Sequence, residues 1–133
     1  MFAGKFFLLV IVMTIAITCI QWFFTGFLFH KYQASTPATW RKESKASYAW
    51  STVIALFFSF MFSLLFSLWK NKSGLLFISD GIEFGTLVWL CFAIPYEIGT
   101  ALYVNYSRLF VVGRCLSSLV EYVVAGVLAA WLL

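Results

Sequence analysis

Residues 6–29, FFLLVIVMTIAITCIQWFFTGFLF, carry no charge, and their only clearly polar side chains are Thr14, Thr18, Gln21 and Thr25. A helix needs about 20 mostly apolar residues to cross a bilayer, so this stretch reads as a membrane span. Three more follow. Residues 48–69 stay uncharged until Lys70, Asn71 and Lys72, whose long side chains can snorkel to the headgroups. Residues 81–104 begin beside Asp80 and Glu83 and are interrupted by Pro95, and residues 109–133 run apolar to the last position given. Between the first two spans, residues 30–47 hold Pro37 with Lys31, Arg41, Lys42, Glu43 and Lys45, so they must leave the hydrocarbon as a polar loop. Residues 105–108 make a tight connection. The expected fold is all-α, an integral membrane four-helix transmembrane bundle occupying residues 1–133 as a single domain.

Composition supports this. The 133 residues are 63% hydrophobic and 11% charged, against roughly 25% charged in soluble domains, too little to cover a globule with polar surface. Sixteen Phe, six Trp and six Tyr exceed what one small core needs and suit side chains facing lipid. The net charge of +4 comes from basic residues beside apolar runs, which is a topology signal rather than a nucleic-acid footprint. Lys31, Arg41, Lys42, Lys45 and Arg108 lie in loops 30–47 and 105–108, while Lys5, Lys70 and Lys72 lie on the opposite side. The positive-inside rule then places both loops in the cytoplasm and both termini outside. The first run is too long for a signal peptide. Ala16-Ile17-Thr18 puts Thr before Cys19 where a lipoprotein signal wants a small residue, so the first helix is expected to stay uncleaved.

Chemistry-bearing motifs are sparse. Cys19, Cys91 and Cys115 lie in apolar segments without C-x-x-C spacing and read as packing residues. His30 is the single histidine and sits where the first span meets its loop, so no metal site, haem or other cofactor is expected. No H-E-x-x-H, phosphate-loop or dinucleotide fingerprint occurs, and no serine has a histidine beside it at membrane depth. An enzyme acting on a lipid would need polar groups gathered at one interface, such as His30, Asp80 and Glu83. The topology puts His30 and Asp80 on opposite sides, and no catalytic residue is assigned.

Helical spacing gives more. Thr14, Thr18, Gln21 and Thr25 step by four, three and four onto one face, which either lines a site or forms interhelical hydrogen bonds worth about 0.6 kcal/mol each. Ser51, Ala55, Ser59, Ser63 and Ser67 form a row of small residues that permits close helix packing. Gly81-x-x-x-Gly85 opens a similar row through Trp89 and Ala93 towards Glu97; the helix it meets could belong to this chain or to another. Phe57, Phe58, Phe60, Phe62 and Phe66 go round the second helix as lipid-facing and filling groups. Trp40 reads as an interfacial anchor.

The informative residues are the ionisable ones at depth: Glu97, Arg114 and Glu121. Each costs about 2.5 to 3.5 kcal/mol at a helix centre and needs a partner or water. Glu97 and Arg114 lie at nearly equal distances from the turn at Asn105 and Tyr106, so an interhelical ion pair is expected. Glu121 is the deepest charge, two turns beyond Arg114. It is either a protonated carboxyl bonded to Gln21, to a serine of the second helix or near Tyr122, or a proton- or cation-handling group.

The run Leu87-Val88-Trp89-Leu90-Cys91-Phe92-Ala93-Ile94-Pro95, followed by Arg108-Leu109-Phe110, resembles a family of small bacterial inner-membrane proteins classed as a domain of unknown function, whose third helix carries a similar Trp-Leu-x-Phe-x-x-Pro. The resemblance implies a four-helix membrane protein and supplies no activity. From the residues themselves the first expectation is a non-enzymatic accessory subunit or small-ligand binder, forming a homo-oligomer or joining a larger membrane complex. The alternative is a small ion- or proton-coupled transporter or channel using Glu121 with Glu97 and Arg114.

Overall fold

In hydrocarbon every backbone N–H and C=O must be satisfied inside its own segment or sheet, and the uncharged runs meet this demand as helices. A computed structural model describes residues 2–73 and 77–133, apart from the side chains of residues 2, 72 and 73; the snorkelling expected of Lys72 lies outside the described residues. Helices α1 (Phe2–Gln21), α2 (His30–Ala34), α3 (Lys45–Ser73), α4 (Ile78–Val88), α5 (Ile94–Tyr103) and α6 (Arg108–Leu132) follow one another, with no strand among the described residues. Widened π-helical segments, Trp22–Leu28 and Trp89–Ala93, extend α1 and join α4 to α5. Four resulting spans are long and apolar enough to cross a membrane: Ala3–Leu28, Lys45–Asn71, Ile78–Tyr103 and Arg108–Leu132. The chain is a multi-pass helical membrane protein. Phe7, Trp22, Phe57, Phe92 and Leu102 project outward, as side chains solvated by lipid do.

Helix α6 is central: it packs along α4, along α1 and against α3. Its closest neighbour is α4. A Cβ placed on Gly81 would overlap the backbone of Gly126, and one placed on Gly85 would overlap the carbonyl of Tyr122. The Gly81-x-x-x-Gly85 row therefore meets the fourth span of the same chain. On the termini side the core is aromatic and aliphatic, with Leu9, Met13, Ile17, Phe62, Phe66, Phe84, Ala125 and Ala129 buried together. The Phe84 ring stands edge-on to Phe62 and Phe66 at 5.5 and 5.3 Å.

Several expectations change. The packed face of α1 is Leu9, Val10, Met13 and Ile17, and Thr18 is exposed. Thr14 and Thr18 each donate to the carbonyl four residues back, at 2.7 and 2.8 Å. A threonine can thus satisfy its hydroxyl on its own helix and face lipid cheaply. The serine row keeps its expected place at a helix contact from Ala55 to Ser67, with Ser51 exposed, and Ser59, Ser63 and Ser67 also donate to their own helix, to the carbonyls of Ala55, Ser59 and Ser63. Cys19 and Cys91 face outward rather than into the packing, and Cys115 is half-buried. Thiols behave as small apolar groups. Pro95 sits inside the continuous third span, Ile78–Tyr103, directly after the π segment, whose wider turn ends with the Ile94 N–H donating to the Trp89 carbonyl.

Loop 30–47 is also more ordered than a polar linker, since it contains α2 and a 3-10 turn at Pro37–Thr39. Trp40 packs on Tyr106 and Phe110 at ring distances of 5.3 and 4.9 Å, and the Thr39 hydroxyl donates to the Asn105 carbonyl. The expected interfacial anchor instead clasps the first loop to the start of α6.

If backbone approach fixes the α4–α6 register, Gly85→Leu should shorten the thermal-inactivation half-life in mild detergent severalfold, in line with overpacking costs of about 1–3 kcal/mol. Gly4→Ala, at a position with open space around it, should leave that half-life unchanged.

Candidate functional site

Helix α6 presents two neighbouring rows. Gly113, Ser117, Glu121, Ala125 and Ala129 recur every four residues and are all buried. The second row, Ser118, Tyr122, Gly126 and Ala130, runs beside α4 and its π segment. There Trp89 Nε1 donates to Ser118 Oγ at 3.0 Å and to the Cys115 carbonyl at 3.2 Å. Antiparallel packing continues this register to the loop end. Arg114 meets Glu97 of α5 there, with Nη2 to Oε1 at 2.8 Å and Nε to Oε2 at 3.4 Å. This two-pronged contact holds a guanidinium and a carboxylate at depth in one neutral unit.

Glu121 is treated differently. Gln21 Nε2 donates to its Oε2 at 3.1 Å and Ser117 Oγ to its Oε1 at 2.8 Å. Of the partners weighed from sequence, Gln21 is present. The serine comes from Glu121's own helix rather than from α3, whose hydroxyls are spent on α3 carbonyls. Among the described residues no cation forms a salt bridge with Glu121, and every buried side-chain nitrogen or oxygen has a hydrogen-bond partner.

These groups do not lie in a sealed core. An open groove of about 460 Å³ runs between α3 and the third span, with Gln21 of α1 and Arg114, Ser118, Glu121 and Tyr122 of α6 at its base. Ile54, Ala55 and Phe58 form one wall, and Phe92, Ala93, Tyr96 and Glu97 the other. Ile54, Phe92 and Tyr96 are exposed at the rim, so the groove opens sideways towards lipid. A second hollow of about 280 Å³ lies nearer the loops, under Trp40, and includes Thr25, Gln33, Thr100 and Tyr106. The two hollows share Tyr96, Glu97 and Arg114. On the far side of Glu121 the Phe62, Phe66 and Phe84 cluster closes the bundle.

The structure thus brings Gln21, Glu97, Arg114 and Glu121 to one groove. Ser59, Ser63, Ser67, Gly81 and Gly85 are buried at helix contacts outside it. His30 is exposed at the start of α2 and Asp80 lies in the first turn of α4, where its carboxylate accepts from the Phe77 N–H at 2.6 Å. They sit at opposite ends of the bundle. Among the described residues no three His, Cys, Asp or Glu side chains gather to hold a metal ion. Sequence reasoning overlooked Ser117 and Gly126, and it placed Trp89 on the packing row without its hydrogen bonds to the fourth span. The signal was available, because the four-residue recurrence from Gly113 to Ala129 places Glu121 in the middle of a small-residue row.

The chain belongs to a protein family described as "Protein of unknown function (DUF1761)", whose model matches residues 8–130. Comparison with curated proteins and with solved structures found no match.

Removing one member of the Glu97–Arg114 pair leaves the other as an uncompensated charge at depth. Glu97→Gln and Arg114→Gln should each destabilise the bundle more than the double substitution does, with a coupling of about 1–3 kcal/mol in a double-mutant cycle of detergent unfolding.

Proposed function

We propose that this is a non-enzymatic membrane protein that holds a small ligand in the groove between its second and third spans, with Glu121, Gln21, Glu97 and Arg114 as the polar contacts. The observation that carries this reading is the opening of that groove. Charged side chains kept only for packing would be enclosed, whereas these line a hollow whose rim is exposed and apolar. Ligand sites characteristically combine apolar walls with a few convergent polar groups. One π-helical segment carries the wall residues Phe92 and Ala93, and the other begins directly after Gln21; such segments are frequent at functional sites. On this reading the protein acts as a homo-oligomer or as an accessory subunit of a larger complex in a cell membrane, of the bacterial inner-membrane kind, with loops 30–47 and 105–108 cytoplasmic and both termini outside.

Native mass spectrometry of protein extracted in mild detergent should show a retained small-molecule adduct. Ala93→Leu, which fills the groove wall, should reduce that adduct at least tenfold. A bare protein mass from several extraction conditions would count against the reading.

One observation favours a second reading, an ion- or proton-coupled transporter or channel. Polar groups run from the loop-side hollow through Glu97 and Arg114 to Glu121, halfway along the fourth span. On that reading Glu121→Gln should abolish pH-dependent flux in proteoliposomes, and unchanged flux would remove Glu121 from any coupling role.

A further inference from the structure

The groove's polar groups are unequal in what they can still offer a ligand, and this inequality points to a ligand class. Arg114 gives two of its N–H donors to Glu97, whose carboxylate balances its charge, so it offers an anion no uncompensated positive charge. Ser118 donates to the Cys115 carbonyl and accepts from Trp89, and Gln21 gives one amide N–H to Glu121, so these two can offer a ligand hydrogen bonds but no charge. Glu121 is the exception: its two contacts come from an amide and a hydroxyl, and no salt bridge among the described residues compensates a negative charge there. Around it the walls are aromatic. The Tyr122 ring meets Phe58 edge-on at 5.1 Å, and Phe92 and Tyr96 stand at the opposite rim. Ring faces attract cations, most strongly where water is excluded.

Resting on the ligand-binding reading, we infer that the groove takes a hydrophobic organic cation, a quaternary ammonium or phosphonium type of ion, with its charge against Glu121 and its apolar groups among Phe58, Tyr122, Phe92 and Tyr96. Charge balance sets the accompanying step. Glu97 and Arg114 neutralise one another. When the cation enters, the Glu121 carboxyl gives its proton to water, and when the cation leaves, a proton returns. Three other titratable groups besides Glu121 and Arg114 line the groove: Glu97 and Tyr96 from α5 and Tyr122 from α6. Among the described residues of α1 and α3, Gln21, Ile54, Ala55 and Phe58 face it. The sideways opening suits a ligand that reaches the site from the bilayer.

The test compares two probes of one shape and opposite charge on the full chain in detergent. Labelled tetraphenylphosphonium should bind saturably in equilibrium dialysis, tetraphenylborate should not compete, and about one proton should be released per cation bound. Glu121→Gln, which retains a group able to meet Ser117, should weaken binding at least tenfold, and Glu121→Asp should retain it. Should Glu121→Gln fail to fold, Phe92→Ala at the exposed rim together with the borate comparison decides the matter. Equal or stronger binding of tetraphenylborate, or unchanged phosphonium binding by Glu121→Gln, would overturn the cation assignment. If phosphonium fails while the native adduct persists, the cation class falls and the ligand-binding reading stands; if both are absent, both fall.

Discussion

The third and fourth spans touch backbone to backbone at Gly81, Gly85 and Gly126, with no room for a Cβ at any of the three. The polar pairs between these two spans inherit their positions from that contact. Once Gly81 lies on Gly126 and Gly85 on Tyr122, antiparallel geometry brings Trp89 to Ser118 and then Glu97 to Arg114. Lipid tails are as apolar as leucine, so no hydrophobic force of the aqueous kind holds these helices together. Close approach of small residues and a few interhelical hydrogen bonds must do so.

The same solvent explains how the molecule treats its polar side chains. Thr14, Thr18, Ser59, Ser63 and Ser67 return their hydroxyls to carbonyls of their own helices, so they are satisfied whether buried or facing lipid. The one guanidinium at depth is matched by a carboxylate. Trp89 finds two acceptors on the fourth span. Against this consistent pattern, Glu121 stands apart because its partners are neutral, and it does so beside an open groove rather than within the sealed aromatic core a turn or two further on. Local departures from a fold-wide rule mark the places where function is retained at a cost in stability.

Much of this was legible in the chain. Four uncharged runs separated by charged loops are hard to satisfy with anything but helices in a bilayer. The likeness of the Trp89 to Pro95 run to an uncharacterised membrane family agrees with the family match over residues 8–130. The equal distances of Glu97 and Arg114 from their turn were readable because two helices joined by a short connection must be antiparallel neighbours. The polar stripe of the first span held at Gln21 and Thr25, which line the hollows, but not at Thr14 and Thr18, since periodicity records which residues share a face and not whether that face is packed along its length. The contacts of Trp40 were not legible for a related reason: an aromatic residue in a polar loop gives no sign by itself that the loop folds over Tyr106 and Phe110.

The sequence by itself determined the number of spans, the solvent they inhabit and which residues are too costly to leave without company at depth, because these follow from hydropathy and helical rise alone. Tertiary structure decided which helices neighbour one another, and so which partners those costly residues obtain. It placed Gln21, one hundred positions away in sequence, against Glu121, and left a gap between the second and third spans with Glu97 in its wall and Glu121 at its base. Neither outcome is encoded in the periodicity of one helix, because both depend on how far apart pairs of helices settle once glycine contacts and bulky aromatic groups have fixed their spacing.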